Sequence, residues 1–258
     1  MIITDSFVHI ANPRCGSTFS RKAIRTGFEL AQRKELGRRL AMAELTLPNI
    51  RGLSHGNNDH HGTVSQIPQD ASKLRILSSV RHPISLAIST FKLGLWMQRI
   101  QEDRVDLMRD SDVSPMIFMK YLESTMPNRW GISRATHGIG YFTAHFIAMF
   151  SKSPDYVFQE AQAGRFDLSI MEETVPTIAF HRQESLATDL QSSLSLWVGG
   201  EIARNATEIQ PANVSSGKDL AVVEPDQGFE QAVTNSEKYL IWFLQRRGIE
   251  YSGANLTI

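Results

Sequence analysis

The chain predicts an α/β fold built on a central parallel β-sheet flanked by helices, and three short apolar runs carry that prediction. Phe7–Ala11, Leu74–Val80 and the run that opens "TIAFHRQESL" at Thr177 each read as a strand, and each is followed by a stretch with helical apolar spacing. Strands that alternate with helices are joined by crossovers. Crossovers lay strands parallel and put helices over both faces of the sheet.

The first unit opens with "FVHIANPRCGSTFSRKAI". An apolar strand runs into a small-residue turn at Gly16, and Ser17 or Thr18 can cap a helix that continues through "FSRKAIRTGFELAQRKELGRRLAMAEL", with an interruption expected near Gly27 or Gly37. A loop rich in His, Asn and Gly follows, "SHGNNDHHGTVSQIP". The second strand ends at Arg81, His82-Pro83 stops it, and Ile84, Ala87, Ile88, Phe91 and Leu95 mark one face of a helix. Residues 96–176 read as a mostly helical region. After the third strand and its helix comes a polar loop, "ANVSSGKDLAVVEPDQG". A terminal amphipathic helix then starts near Asn235 or Ser236 and stops at Gly248.

With 258 residues, 41% hydrophobic and 21% charged, the chain has room for one large domain spanning 1–258. Lys plus Arg and Asp plus Glu both number 27, so no global field draws the protein to nucleic acid or to a membrane, and any anion site must be local. One cysteine excludes an internal disulfide framework and suits a reducing compartment. No basic leader precedes an apolar core and no apolar run approaches a membrane span, so a cytoplasmic protein without a transmembrane segment is expected.

A strand, a tight turn and a helix N-terminus together make an anion site, because the first-turn N–H groups point outward and the helix dipole favours negative charge. Gly16 allows close approach, Ser17 and Thr18 add hydroxyls, and Arg14 adds a fixed cation. Three chemistries can use such a loop. A P-loop NTPase needs G-x-x-x-x-G-K-[ST], and this loop lacks both the first Gly and the Lys-Ser/Thr ending. A cysteine phosphatase of the low-molecular-weight kind needs C-x5-R after the strand. Cys15 and Arg21 satisfy that spacing, but the Asp-Pro general-acid motif of that family is absent. A sulfotransferase cradles the 5′-phosphosulfate of PAPS (3′-phosphoadenosine 5′-phosphosulfate) with a Pro-Lys/Arg-x-Gly-[ST]-[ST] loop.

The second strand separates these readings. "RILSSV" ends in Arg81, where an NTPase would carry a magnesium-positioning Asp, and Ser89 follows on the next helix. An Arg at a strand end and a Ser on that helix can clamp a second phosphate without a metal. The chain here resembles the PAPS-dependent sulfotransferase family. "NPRCGST" is similar to its 5′-phosphosulfate loop and "VRHPISLAIS" to its 3′-phosphate motif, while "HHGTVSQIP" and "NVSSGKDL" resemble the carbohydrate (heparan-sulfate and bacterial glycan) branch. The resemblance spans roughly 6–25, 55–95 and 177–250, leaving 96–176 as an acceptor-side region.

The resemblance implies a P-loop-like nucleotide-binding fold and transfer of the sulfuryl group to a hydroxyl, on a carbohydrate by the same likeness, releasing adenosine 3′,5′-bisphosphate. It implies that Arg14, Cys15, Gly16, Ser17 and Thr18 hold the 5′-phosphosulfate and that Arg81 and Ser89 hold the 3′-phosphate. Ser215 and Lys218 would replace the Arg-Lys-Gly phosphate loop of the small-molecule branch. Arg14 stands where many members carry Lys, and Cys15 occupies a variable position, a bystander to the chemistry. A general base must take the acceptor proton, and His suits that near neutral pH. The resemblance favours His61 or His60, with His55 in reserve; spacing alone leaves His60 and His61 equivalent. A metal site from His55, Asp59, His60 and His61 is not expected, because Asn57 stands where a metallo-hydrolase pattern needs His. Glu184 matches a family acidic position with a structural role. Trp96, Trp130, Tyr141 and Phe142 are candidates for an acceptor cleft or for core, and the basic run Arg33–Arg39 for a glycan contact or a solvated helix face. The other class of reading is a catalytically silent nucleotide- or glycan-binding module.

Overall fold

Only Asp5 and Ser6 separate the first two strands, β1 (Ile2–Thr4) and β2 (Phe7–Ile10), and that shortness decides their direction. Two residues close a hairpin but not a crossover, so β1 and β2 pair antiparallel, Ile2 opposite His9. The Thr4 hydroxyl locks the turn, donating to the Phe7 carbonyl at 2.9 Å and accepting from the Ser6 and Phe7 N–H groups. These features come from a computed structural model, which describes residues 1–34, 41–49, 58–93, 114–207 and 226–251.

The described residues form two compact units. One comprises Met1–Arg81 with Pro176–Ser216, the other His82–Val175 with Gly217–Ile258. The first unit holds a five-stranded sheet in the order β3-β1-β2-β6-β7, where β3 is Met42–Glu44, β6 is Arg75–Val80 and β7 is Ile178–Arg182. A separate two-stranded sheet pairs β4 (Leu47–Pro48) with β5 (Asn58–Asp59). The three strands expected from sequence, β2, β6 and β7, are parallel as expected. The sheet as a whole is mixed rather than parallel, because β1 joins by its hairpin and β3 pairs antiparallel with β1.

Helix α1 (Ser17–Lys34) starts where the sequence places it but ends sooner. Met42–Glu44, expected to continue the helix, is instead the edge strand β3, where cross-strand bonding to β1 overrides local helical propensity. Gly27 does not interrupt the helix. A Cβ there would lie 2.7 Å from the Ile202 carbonyl, so Gly27 lets α1 approach the backbone of α9 (Gly200–Thr207). Gly37 lies outside the described residues. Together with α8 (Leu186–Trp197), these helices cover one sheet face: Phe7, Leu77 and Ala179 meet Phe19, Ala23, Ile24 and Phe28 of α1, Leu190 and Leu194 of α8, and Ile202, Ala203 and Ala206 of α9. Truncating Phe28 to Ala in this layer would cost about 3–5 kcal/mol.

The second unit is helical, as expected for the middle of the chain. It comprises α2 (Pro83–Lys92), α3 (Pro115–Trp130), α4 (Arg134–His137), α5 (Tyr141–Phe150), α6 (Pro154–Gln162), α7 (Leu168–Thr174), α10 (Gln227–Ser236) and α11 (Lys238–Arg246). Side-chain caps set several starts: Ser114 accepts from the Ile117 N–H, Asp167 from Ile170 and Asp226 from Phe229. The terminal helix begins at Lys238, close to where the sequence places it, and a further helix, α10, precedes it; between them Glu237 turns its carboxylate inward and caps α5. Gly248, at φ 74°, follows the last helix as the sequence predicts. Among the described residues, no helix is long and apolar enough to cross a membrane.

Candidate functional site

The turn between β2 and α1 is held from three sides of its own unit. At its start, the Ala11 N–H donates to the His61 carbonyl at 3.4 Å, and the Asn12 amide donates to the Ser79 carbonyl of β6 at 2.9 Å. The Cys15 N–H closes the turn on the Asn12 carbonyl at 3.3 Å. At its end, Gly16 has φ 81°, and a Cβ there would stand 2.3 Å from Leu186 Cδ2, with Gln183 Cγ at 3.7 Å. Only glycine suits that conformation and that contact.

Arg14 has φ 64°, the only non-glycine residue with positive φ among those described. A left-handed Arg costs on the order of 1 kcal/mol, a strain that recurs at functional turns. The turn leaves Arg14 exposed and Cys15 buried. The backbone N–H groups of Gly16, Ser17, Thr18 and Phe19 donate to no group among the described residues, and no acidic side chain occupies the first turn of α1. The positive end of the helix is thus lined with open donors.

Arg81, at the C-terminal end of β6, belongs to the same edge. The parallel register sets β2 beside β6, and both the charge and the backbone N–H of Arg81 act on the Cys15 thiol. The buried Nε of Arg81 has no hydrogen-bond partner among the described residues. Burial pushes the Cys15 thiol up to about 12, and the nearby Glu184 adds to the rise while Arg81 opposes it. At neutral pH this sulfur is a thiol and not a thiolate. Arg21, which a phosphatase loop would need, donates to the Glu44 carboxylate through Nε at 2.9 Å and through a second guanidinium nitrogen.

His61 separates itself from His60 by what it touches. Its Nδ1 lies 2.6 Å from the Ala11 carbonyl, one residue before the loop. A carbonyl only accepts, so Nδ1 carries the proton and Nε2 the basic lone pair. The His60 ring packs against it at 4.4 Å between centroids.

Other expected site residues fall elsewhere. Ser89 lies on α2 in the helical unit. Ser215, Lys218, His55 and Trp96 lie outside the described residues, as does the basic run beyond Lys34. Trp130 and Phe142 are buried core side chains, and Tyr141 accepts from Arg129 at 2.9 Å. Three features escape a reading of the sequence. Asn12 ties the loop to β6, and the pair Gln183 and Leu186 supports Gly16. The third is a buried polar layer on one sheet face: His9, both of whose ring nitrogens lack partners, Ser79, whose hydroxyl lacks one, and His181, which meets the Ser193 hydroxyl at 2.8 Å. Burial lowers His9 to about 3 and His181 to about 4. The one available signal was a histidine in each of two apolar strands.

Compared with protein-family models, with curated proteins and with solved structures, the chain matches none of them.

Proposed function

We propose that the chain is a sulfotransferase, moving the sulfuryl group of PAPS to a hydroxyl of an acceptor, a carbohydrate by its resemblance to that branch. The observation that carries this reading is the meeting of two cationic motifs at one sheet edge. Asn12 and Ser79 are 67 residues apart, yet their bond ties the start of the loop to the strand that ends in Arg81. Open N–H groups, two hydroxyls and Arg14 are suited to a phosphosulfate. The unpartnered Arg81 Nε is suited to a further phosphate, which PAPS carries on its 3′ oxygen and ATP does not.

In this reading Gly16 to Phe19 donate to the terminal sulfate and to charge that develops on the bridging oxygen as the S–O bond breaks. His61 takes the acceptor proton on Nε2 as the new S–O bond forms, the bond to Ala11 holding its ring in the required tautomer. A singly charged sulfuryl group needs less charge compensation than a phosphoryl group, so positioning and electrostatics suffice. The phosphatase alternative is disfavoured by a protonated Cys15 and by an Arg21 committed to Glu44.

Titration calorimetry with adenosine 3′,5′-bisphosphate against ATP tests the proposal. The bisphosphate should bind tightly, and Arg81→Ala should weaken it at least tenfold while leaving adenosine 5′-phosphate binding much less affected. Tight ATP binding with indifference to the 3′-phosphate would overturn the reading. Bisphosphate binding without sulfated product from any acceptor, under conditions where His61→Ala changes nothing, would favour the silent binding module.

A further inference from the structure

Glu184 is an unpartnered carboxylate in a neighbourhood of unpartnered cations. In the same sheet-bearing unit several opposite charges pair: Arg21 and Arg25 share Glu44, and Arg182 lies 3.9 Å from Asp189. The side chains of Arg14, Arg81 and Glu184 make no ion pair or hydrogen bond among the described residues. Glu184 is positioned by its neighbours. It lies in the one-turn 3-10 helix Gln183–Ser185 that follows β7, between the two residues, Gln183 and Leu186, that pack against the loop glycine Gly16. Its side chain is exposed, and its charge reaches the Cys15 thiol in the same loop.

A carboxylate beside a donor-lined anion site weakens the binding of any anion, and it does so in proportion to the charge on the nearest ligand group. A terminal phosphate carries about −1.5 to −2 at pH 7 because its second proton leaves near pH 6. A terminal sulfate of the same shape carries a single charge. Arg14 and the helix N-terminus bind both, so these positive groups alone discriminate in favour of the more highly charged phosphate. A repulsive element is the way to reverse that preference.

We infer that Glu184 is a charge filter, setting the loop to prefer a sulfate-ended nucleotide over the isosteric phosphate-ended one. This rests on the sulfotransferase reading of the loop and adds to it the residue that rejects the commoner nucleotide diphosphates. Glu184 acts on selectivity and takes no proton from the acceptor.

The test compares two ligands that differ only at the terminal group, PAPS and 3′-phosphoadenosine 5′-diphosphate, by calorimetry on the intact chain and on Glu184→Gln and Glu184→Asp. In the parent, PAPS should bind more tightly. In Glu184→Gln the diphosphate should gain about three- to tenfold relative to PAPS, the size expected of one screened charge at a partly exposed site. Glu184→Asp should keep most of the preference. The parent's preference should also shrink as pH falls from 8 to 5.5, where the terminal phosphate takes up its second proton, and in Glu184→Gln that dependence should vanish or change sign. A merely structural Glu184 would weaken both ligands equally, with no change in their ratio or its pH profile, and that result overturns the filter while leaving the site intact. If the parent binds neither ligand, the loop reading fails and the filter fails with it.

Discussion

The helices α5 and α1 are both entered through glycine, and their N-termini have opposite fates. At α5, Gly140 leads into Tyr141, and the buried Glu237 carboxylate accepts from the Phe142 N–H at 3.2 Å and from the Thr143 N–H and hydroxyl, each at 2.7 Å. Ser236 adds a further bond to the same carboxylate at 2.9 Å. At α1, Gly16 leads into Ser17, the N–H groups of Gly16 to Phe19 have no partner among the described residues, and Arg14, Arg81 and Glu184 are the charged groups around the loop. Backbone geometry alone makes both ends attractive to anions. What distinguishes them is whether the fold supplies the anion. One that does so has built a cap; the other, with open donors beside Arg14 and Arg81, is the end the proposed function fills with a ligand.

The largest effect expected from breaking that contrast is at α5. Glu237→Ala strands two buried N–H groups and two hydroxyls and should lower the unfolding free energy by about 3–5 kcal/mol, read as an equal fall in denaturant stability with no change in nucleotide affinity. Arg81→Ala should do the reverse. Its own stability should stay within about 1 kcal/mol of the parent's, but the stabilisation by adenosine 3′,5′-bisphosphate should fall by at least about half. In the parent that stabilisation should be about 2.7 kcal/mol at a hundred times the dissociation constant, visible as a rise in Tm. A parent whose Tm ignores the bisphosphate would sink the distinction between cap and site.

The buried imidazoles sharpen the contrast through pH. His9 and His181, lowered from an ordinary 6.5 to about 3 and about 4, stay neutral in the fold and take up protons only on unfolding. Their contribution is therefore complete above about 6.5 and is lost as pH falls toward 4, at up to about 1.4 kcal/mol per pH unit for each ring. His9→Leu should flatten that slope by roughly one proton between pH 6 and 4 in denaturant titrations. Burial shifts Glu237 upward, with its hydrogen bonds opposing the shift, so its contribution runs the other way and weakens as pH rises through the raised value. The smallest effect should come from Cys15→Ser. On the proposed sulfotransferase reading, sulfuryl transfer should stay within about threefold of the parent, whereas a nucleophilic cysteine would take all activity with it.

Where each part of the fold was legible follows from the range of the forces involved. The strands β2, β6 and β7 announce themselves as apolar runs, and the loop as small residues between a strand and a helix. These are local patterns, and the parallel core built from them is the expected one. The strand β3 was read as helix because Met42–Glu44 has helical propensity and its reason for being extended is a partner, β1, forty residues away in sequence. His61 and His60 were inseparable by spacing, and a single bond to the Ala11 carbonyl tells them apart. Glu237 looked like an ordinary polar residue inside a helix. Its function as a cap depends on where α5 begins, 94 and 95 residues earlier.

By itself, then, the order of residues determined the elements, the glycine that lets the loop turn closely against Leu186, and which side chains near that loop are cationic. Those depend on steric and dipolar preferences that act within a few residues. Only the tertiary structure decided that Arg81 lies against Cys15, that Arg21 is spent on Glu44, that one helix end is filled and another open, and that Glu184 stands at the rim. Each of these is a pairing of charges or donors far apart in the chain, and such pairings exist only once burial has removed water as the competing partner.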